Sequence, residues 1–291
     1  MTDILNDKYE IIKENYIGKG GFGTVFKAYD VVNKKNVAIK VDKKKKYNKR
    51  EYKIYSKLLG KKDMPQIIDY FENDDNSYLV MELYSKDACT ISKLNKDKYF
   101  NEKDILMIGI QIIQQIGTLH KIGILHRDIK PDNFIFDQES NKFKLIDYGL
   151  SKPYIISGKH IPPNKNGGRC GTMRYMSNNA HLKKSLSRKD DMISLSYSLI
   201  YLYLKKLPWQ GVRETKNEIH KKIVELKNEF ENNIQDYNIL EPLVYLYSYS
   251  INLKFDSKPD YSFLIQYFYK NLKKNNYKYN GKWSWIDKLF K

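Results

Sequence analysis

Short apolar runs alternate with breaks in the first part of the chain. From Tyr9 to about Val41 the runs contain Val, Ile, Tyr and Phe, and they are interrupted by glycines and by the polar stretch 33–36. β-branched and aromatic residues bounded by turn formers are typical of strands. The pattern therefore predicts a strand, a tight turn, a second strand, a hairpin and a further strand.

One helix and two more strands are predicted next. Residues 47–59 carry side chains at helical spacing, and the segments 66–71 and 78–83 are again strand-like. The residues that mark the helix are Tyr47, Glu51, Ile54, Tyr55 and Leu58. These elements predict a small β-rich lobe over residues 1–83 with one main helix.

The pattern becomes helical beyond Tyr84. Residues 104–120 carry an apolar stripe spaced for a buried helix face, at Ile105, Ile108, Ile112, Ile116 and Leu119. Further helices are predicted at 190–204, around 219–229, at 240–251 and at 261–275. The fold class is thus α+β, with a second, mostly helical lobe over residues 84–291 that shares a cleft with the first.

Composition restricts the setting of the protein. The chain of 291 residues has only two cysteines, which suits a reducing compartment and offers no framework for disulfides or zinc. The apolar stretch 192–204 is shorter than the roughly 20 residues that cross a bilayer, and the N-terminus lacks the features of a signal peptide. We expect an intracellular, cytoplasmic, soluble monomer that does not engage membranes.

The net charge of +18 favours acidic or phosphorylated partners, nucleic acid or anionic surfaces, without choosing among them. Part of it reflects a bias toward Lys, Asn, Ile and Tyr, whose codons are rich in A and T, so an A/T-rich genome such as that of a large virus or a protist is a hypothesis for the source. The basic run 43–50 is interpreted as a solvated loop and helix start; a nuclear import signal or a nucleic-acid contact is the alternative.

Glycines at Gly18, Gly20 and Gly23 form a G-x-G-x-x-G motif followed by Val25. Such glycines let backbone N–H groups approach phosphates closely. Dinucleotide-binding folds continue this motif with a helix, whereas this chain continues as a strand. We therefore predict a hairpin that covers a nucleotide.

Lys40 ends the apolar strand Val37–Ala38–Ile39–Lys40. A lysine there is either a solvated strand end or, at this distance from the glycines, a group that neutralises nucleotide phosphates when a carboxylate holds it. Glu51 is the candidate partner, because it lies on the helix that follows the lysine strand.

The segment His126–Asn133 reads His-Arg-Asp-Ile-Lys-Pro-Asp-Asn. Asp128 is suited to accept the proton of an attacking hydroxyl, Lys130 to balance charge on a moving phosphoryl group, and Asn133 to bind magnesium. Asp147 begins the sequence Asp-Tyr-Gly behind a strand-like segment, where it would bridge magnesium to phosphates.

The order and spacing of these four motifs match the protein-kinase signature set. The chain resembles the casein kinase 1 family, within the casein kinase 1 and vaccinia-related kinase group, from Tyr9 to Trp285. Residues 177–179 read Ser-Asn-Asn where most kinases have Ala-Pro-Glu, as in this family. Other segments that carry the resemblance are 171–175, 187–191, 207–211 and 254–261.

The resemblance implies one bilobal protein kinase domain over about 9–285, with ATP and Mg²⁺ as cofactors. It places Ala38 in the nucleotide site, makes Met81 the gatekeeper of the adenine pocket, and lets Glu82 to Tyr84 supply hinge backbone bonds. Tyr148 stands where casein kinase 1 has Phe, and we treat it as neutral for catalysis. The segment 85–89 lacks the Gly-Pro-Ser pattern of the family, so no ribose contact is assigned to Asp87.

Lys130 with Thr172 resembles the arrangement of serine/threonine kinases, so the expected reaction is transfer of the γ-phosphate of ATP to Ser or Thr of proteins. Relatives favour acidic or phosphate-primed substrates that bind a basic anion site. Arg174 and the backbone of Gly211 match that site, whereas His220 stands where relatives carry lysine. Arg213, Lys216 and Lys221 are close enough in sequence to compensate.

Two other classes of function remain open at this stage. A pseudokinase scaffold is disfavoured because all five charged or metal-binding motif residues are present, namely Lys40, Glu51, Asp128, Asn133 and Asp147. A kinase-fold protein that binds nucleic acid rests on the net charge alone. Turnover of ATP on casein separates an enzyme from both.

Overall fold

The computed structural model describes residues 2–20, 23–94, 100–215 and 218–289. The chain divides into two compact units. The first contains residues 1–85, 137–140 and 145–149, and the second contains 86–136, 141–144 and 150–291.

A six-stranded antiparallel sheet forms the centre of the first unit, with strand order β1-β2-β3-β4-β6-β5. Its strands are β1 (Thr2–Leu5), β2 (Tyr9–Gly20), β3 (Gly23–Asp30), β4 (Lys35–Asp42), β5 (Ile67–Glu72) and β6 (Ser77–Glu82). One face of the sheet is closed by an apolar core of Tyr9, Ile11, Ala28, Val37, Ile39, Tyr78 and Val80. Because side chains alternate along a strand, Ala38 and Lys40 point away from this core.

Helix α1 (Lys46–Leu58) is the helix of the first unit, and its start is fixed by a side chain of the preceding strand. The carboxylate of Asp42 accepts hydrogen bonds from the backbone N–H groups of Lys44 and Tyr47, at 2.8 and 3.0 Å. Asn48 donates to the carbonyl oxygens of Lys40 and Ser77, both at 2.9 Å. These bonds satisfy N–H groups at a helix start and tie α1 to the strand that carries Lys40.

The second unit is mostly helical. Its helices are α2 (Ala88–Leu94), α3 (Glu102–Lys121), α4 (Asn178–His181), α5 (Arg188–Leu204), α6 (Ile219–Asn232), α7 (Glu241–Ile251), α8 (Tyr261–Lys274) and α9 (Ile286–Leu289). Six short strands form three further pairs. Strands β7 (Ile124–Leu125) and β10 (Lys152–Pro153) are antiparallel, as are β11 (Ile155–Ile156) and β12 (Lys159–His160). Strand β8 (Phe134–Asp137) pairs with β9 (Lys142–Leu145), and the last residue of each belongs to the first unit.

Helices α3 and α5 form the centre of the helical unit because both are apolar on most of their surface. The predicted stripe of α3 is fully buried, and a capping box of Asn101 with Asp104 starts the helix. The side chains of α5 from Asp190 to Ile200 are buried as well. Across the described ranges of the chain, no helix is both long and apolar enough to span a membrane.

The structure confirms the predicted α+β class and the main elements. The helices predicted at 47–59, 104–120 and 261–275 lie at Lys46–Leu58, Glu102–Lys121 and Tyr261–Lys274. The basic run 43–50 forms a turn and the start of α1, as interpreted. The sequence patterns missed short elements, namely β1, β8, α2, α4, α9 and the two-residue strands β7, β10, β11 and β12.

Candidate active site

The glycine-rich motif lies at the end of the β2–β3 hairpin, as its spacing predicts. Gly18 pairs with Val25 and Gly20 pairs with Gly23, while positions 21 and 22 lie outside the described residues. A Cβ atom on Gly23 would come within 2.5 Å of the carbonyl oxygen of Val41. Only glycine therefore fits where β3 runs this close to β4.

Strand register places the predicted nucleotide contacts on one face of the sheet. Val25 is opposite Lys40 across β3 and β4, and Ala38 is opposite Met81 across β4 and β6. Directly opposed residues share a face, and so do residues two apart on one strand. Val25, Ala38, Lys40 and Met81 thus lie together on the face opposite the apolar core.

Lys40 is held between two carboxylates of the first unit. Its Nζ atom lies 2.7 Å from Oε2 of Glu51 and 3.2 Å from Oδ1 of Asp147. Lys40 and Glu51 are only 6% and 1% exposed. Burial lowers the pKa of Lys40, but the charges of Glu51 and Asp147 outweigh it, so the pKa of Lys40 is raised and its ammonium is charged.

Glu51 also binds the backbone of the Asp-Tyr-Gly motif. The N–H of Tyr148 donates to Oε1 of Glu51 at 3.1 Å, and the Tyr148 hydroxyl donates to the carbonyl oxygen of Leu145 at 2.9 Å. The Tyr148 ring packs edge-on against Tyr55, with centroids 4.8 Å apart. The hydroxyl that distinguishes Tyr148 from Phe is thus accommodated by a backbone acceptor rather than by a charged group.

The predicted hinge follows strand β6, which ends at Glu82. The hydroxyl of Tyr84 donates to Oε2 of Glu82 at 2.6 Å and accepts the N–H of Gln66 at 3.3 Å. Burial, together with the hydrogen bond to Glu82, raises the pKa of Tyr84. These bonds fix the side chains around the segment whose backbone groups are the predicted adenine contacts.

Asp87 stabilises the start of a helix in the second unit. Its carboxylate accepts hydrogen bonds from the N–H and the hydroxyl of Thr90, at 2.8 and 2.6 Å. It therefore caps α2, the helix that sequence patterns missed.

Asp128 lies at the centre of a compact polar cluster in the second unit. Nζ of Lys130 lies 2.7 Å from its Oδ2 and 3.1 Å from the hydroxyl of Thr172. The N–H and the hydroxyl of Thr172 both donate to Oδ1 of Asp128 at 2.8 Å. The structure thus brings together the three residues that the sequence assigned to the acceptor hydroxyl.

Two neighbours complete this cluster. Asn133 donates from Nδ2 to the carbonyl oxygen of Asp128 at 2.8 Å, so Oδ1 is the atom of its side chain that can bind a cation. Gly171 has φ of 99°, and a Cβ there would lie 2.7 Å from the carbonyl oxygen of Arg127. Glycine at this position is what allows Thr172 to approach Asp128.

Asp191 supports the loop that carries Asp128, a role that the sequence did not reveal. Its carboxylate accepts the N–H groups of His126 and Arg127 at 2.7 and 2.8 Å and contacts Nε2 of His120 at 2.8 Å. Burial raises the pKa of Asp191, but these contacts outweigh it, so the pKa is lowered. The sequence signal for this role is the 187–191 run, which is one of the segments that carry the family resemblance.

The residues at the three positions of the predicted anion site, Arg174, Gly211 and His220, make different contacts. The guanidinium of Arg174 lies 5.2 Å from the ring centre of Tyr201, and the carbonyl of Arg174 accepts the indole N–H of Trp209 at 2.7 Å. Gly211 is exposed with φ of 80°. His220 instead faces His181, with the two Nδ1 atoms 2.7 Å apart.

Of the residues named as substitutes for the missing lysine, Arg213 and Lys221 are exposed. Lys216 lies outside the part of the chain that the structure describes.

Comparison with protein families agrees with this geometry. A family model described as the protein kinase domain matches residues 11–274, which is most of the chain. Proteins of this family are phosphotransferases that use ATP and typically Mg²⁺. The match accounts for the α+β fold with its curled N-terminal sheet and helical C-terminal part. The chain belongs to the protein kinase domain family.

Proposed function

We propose that the protein is a serine/threonine protein kinase that transfers the γ-phosphate of ATP to protein hydroxyls. The observation that carries this proposal is the cluster of Asp128, Lys130 and Thr172, in which both oxygens of one buried carboxylate are engaged by side chains and a backbone N–H. Such a carboxylate is held in a fixed orientation, as a general base must be.

The roles in the second unit follow from these contacts. Asp128 accepts the proton of the acceptor hydroxyl as that hydroxyl attacks. Lys130 carries a positive charge beside the same carboxylate, at 2.7 Å, and offsets negative charge on the phosphoryl group in transfer. Thr172 fixes the rotation of the Asp128 carboxylate through two hydrogen bonds.

The contacts of the first unit suit a phosphate-bound divalent cation. Lys40, Glu51 and Asp147 together carry one positive and two negative charges, so the set has a formal charge of −1. Carboxylate oxygens are ligands that Mg²⁺ prefers, which fits Asp147 of this unit. Within the second unit, the Oδ1 atom of Asn133 is likewise of a type that binds a cation. When bound, the cation neutralises charge on the transferring phosphate, while Lys40 binds phosphate oxygens and Glu51 holds Lys40 in place.

We further propose a casein kinase 1-like preference for acidic or phosphate-primed substrates. Support comes from the Ser177–Asn179 segment, from Arg174 and from the net charge of +18. The guanidinium of Arg174 stays charged and lies over the rings of Tyr175 and Tyr201. His220 does not replace the missing lysine, because its ring is engaged by His181.

A peptide series tests the proposed acceptor class. Four peptides of one sequence carry Ser, Thr, Tyr or Ala at the acceptor position, and phosphate transfer from Mg·ATP is measured by mass spectrometry. We expect transfer to the Ser and Thr peptides, and rates at least about 100-fold lower for Tyr, a discrimination of about 3 kcal/mol. Equal rates on Ser and Tyr would contradict the proposal.

A matched pair of variants tests the role of Thr172. Thr172→Ser keeps the hydroxyl that binds Asp128 and is expected to keep most of the activity. Thr172→Val keeps the shape but removes this bond, and kcat is expected to fall by about tenfold because one bond to a charged group is lost.

A second peptide pair tests the priming preference. Adding a phosphoserine or an aspartate upstream of the acceptor should raise kcat/KM. An unchanged kcat/KM would contradict the proposed preference.

A further inference from the structure

A fully buried lysine lies outside all the motifs discussed above. Lys227 is on α6 and has 0% exposure. Its Nζ lies 2.5 Å from the carbonyl oxygen of Met176, 3.5 Å from that of Met173 and 3.1 Å from Nε2 of His181. The Nζ atom also lies 4.7 and 5.0 Å from the ring centres of Tyr197 and Trp209. These described contacts are to neutral dipoles and aromatic rings.

A charge in such surroundings is costly to bury. Burial lowers the pKa of Lys227 well below its ordinary value. The other buried residues on this face of α6 are Ile223 and Phe230, and a leucine or methionine at 227 would match them. The lysine is the residue here that can donate hydrogen bonds to the carbonyl groups of the neighbouring segment.

The segment that Lys227 holds begins at the proposed catalytic cluster. Thr172 is bound to Asp128, and its own carbonyl accepts the N–H groups of Tyr175 and Met176, both at 2.9 Å. Trp209 holds the carbonyl of Arg174 from the same side at 2.7 Å. Segment 172–176 is therefore fixed by Asp128 at its start and by Lys227 and Trp209 along its length.

The outer side of this segment is available to a peptide. Met173 is 40% exposed although its carbonyl faces Lys227. A polypeptide whose hydroxyl reaches Asp128 passes Thr172 and hence the exposed side of Met173. The backbone position of 172–176 thus determines where such a peptide can bind.

We propose that Lys227 is a positioning residue: it fixes the backbone of segment 172–176, and this segment determines where the acceptor polypeptide binds. This inference rests on the proposed kinase function. It assigns Lys227 to acceptor binding rather than to ATP binding or to phosphate transfer itself.

A histidine pair connects Lys227 to the protein surface. Nε2 of His181 lies 3.1 Å from Nζ of Lys227, and Nδ1 of His181 lies 2.7 Å from Nδ1 of His220. With Lys227 as the donor to Nε2, we assign the hydrogen of His181 to Nδ1, and His220 is then neutral with its hydrogen on Nε2. A proton added to Nδ1 of His220 would place two donors 2.7 Å apart and break the chain.

Among the residues that the structure describes, the charged groups that act on this pair are basic. The side chain of Arg169 donates to the carbonyl of His181 at 3.3 Å, and burial together with Arg169, Lys227 and Lys183 lowers the pKa of His220. The chain is therefore intact at neutral pH and is disrupted as the pH falls below the ordinary range of histidine. We expect the KM for the acceptor peptide to rise in acid.

The test compares Lys227→Met with Lys222→Met, which removes an exposed lysine from the same helix. KM and kcat are measured for a Ser peptide and for ATP at pH 7.5, with circular dichroism and thermal unfolding to verify folding. We expect Lys227→Met to raise the KM for the peptide about tenfold, with the KM for ATP within twofold of wild type. Lys222→Met should match wild type.

A second variant keeps the inference testable if Lys227→Met fails to fold. His220→Gln removes the titrating group at the surface end of the chain, so the rise of peptide KM between pH 7.5 and 5.5 should be lost. An unchanged peptide KM in folded Lys227→Met, or a wild-type pH profile in His220→Gln, would overturn the inference while leaving the kinase function standing. A wild-type protein that transfers no phosphate to any peptide would overturn both.

Discussion

Lys40 in the β-rich unit and Lys227 in the helical unit are both buried, but their electrostatic surroundings are opposite. Lys40 lies between Glu51 and Asp147, and their charges raise its pKa despite burial. Lys227 contacts carbonyl oxygens, a histidine and aromatic rings, and burial lowers its pKa. The first lysine belongs to an ion pair, whereas the second is a hydrogen-bond donor to uncharged groups.

The comparison shows that burial alone does not define the role of a lysine. Carboxylates around Lys40 keep it charged and leave a net negative charge that suits a cation with phosphates. The carbonyl groups of Met173 and Met176 accept hydrogen bonds from Lys227, which thereby fixes the backbone. The difference can be tested by replacing each lysine. Loss of Lys40 leaves carboxylates without a counter-charge, whereas loss of Lys227 leaves carbonyl oxygens without a donor.

The largest expected effect is on stability. Lys40→Met leaves Glu51 buried without its counter-charge, and breaking a buried pair in this way costs about 3–5 kcal/mol. Lys227→Met leaves carbonyl groups without a donor but no orphan charge, at about 1–3 kcal/mol. Urea denaturation of both variants and wild type should give this order of unfolding free energies. Equal losses, or a larger loss for Lys227→Met, would contradict the distinction.

The next effect is a pH dependence at the neighbour of Lys227. Burial, with the charge of Lys227 and the ring of His220, lowers the pKa of His181 to about 2. The unfolded chain binds a proton there near pH 6.5 and the folded chain does not, so the free energy of unfolding falls as the pH drops below about 6.5. At pH 5.0 the burial of neutral His181 should lower the free energy of unfolding by about 2 kcal/mol relative to neutral pH.

Denaturation at pH 7.5 and 5.0 measures this effect. His181→Gln removes the titrating ring but keeps an oxygen acceptor for Lys227, so the loss between the two pH values should shrink. His160→Gln, in β12, serves as the control and should retain the wild-type loss. If His181→Gln kept the full loss, His181 would not be buried in its neutral form.

The smallest effect concerns the tyrosine of the Asp-Tyr-Gly motif. Tyr148→Phe removes the hydrogen bond to the Leu145 carbonyl at 2.9 Å and should cost about 0.5–1.5 kcal/mol, with phosphate transfer within about twofold of wild type. Tyr154→Phe removes a similar bond, 2.7 Å to the His120 carbonyl, in the helical unit and is the matched control. A large loss of transfer in Tyr148→Phe alone would show that the hydroxyl has a catalytic role.

Sequence patterns predicted the elements that bury a regular apolar face. Helices α1, α3 and α8 were placed within about two residues of their ends, because their stripes are long enough to define a period. Helix α2 was missed because its seven residues are too few to define a period. The residue that caps it, Asp87, stands out in the sequence only because segment 85–89 lacks the Gly-Pro-Ser pattern of the family. Strand β1 was missed because four residues next to polar turns carry little periodic signal.

The two lysines also differ in how visible they are in the sequence. Lys40 was identified because its motif has a fixed distance to the glycine-rich hairpin and to Glu51 on the next helix. Lys227 was missed, although the signal was present: it stands between Ile223 and Phe230, at the spacing of the buried face of α6. A lysine at such a position indicates a buried donor, but its partners lie about 50 residues earlier and have no local signature.

The most direct test of the kinase account is single-turnover transfer from Mg·ATP to a Ser peptide, with wild type and Asp128→Asn compared in parallel. ATP affinity is measured separately by calorimetry. The account predicts transfer by wild type, a rate lowered by about 10²–10⁴-fold in Asp128→Asn because the general base is lost, and similar ATP affinity in both. Full transfer by Asp128→Asn, or none by wild type, would contradict it.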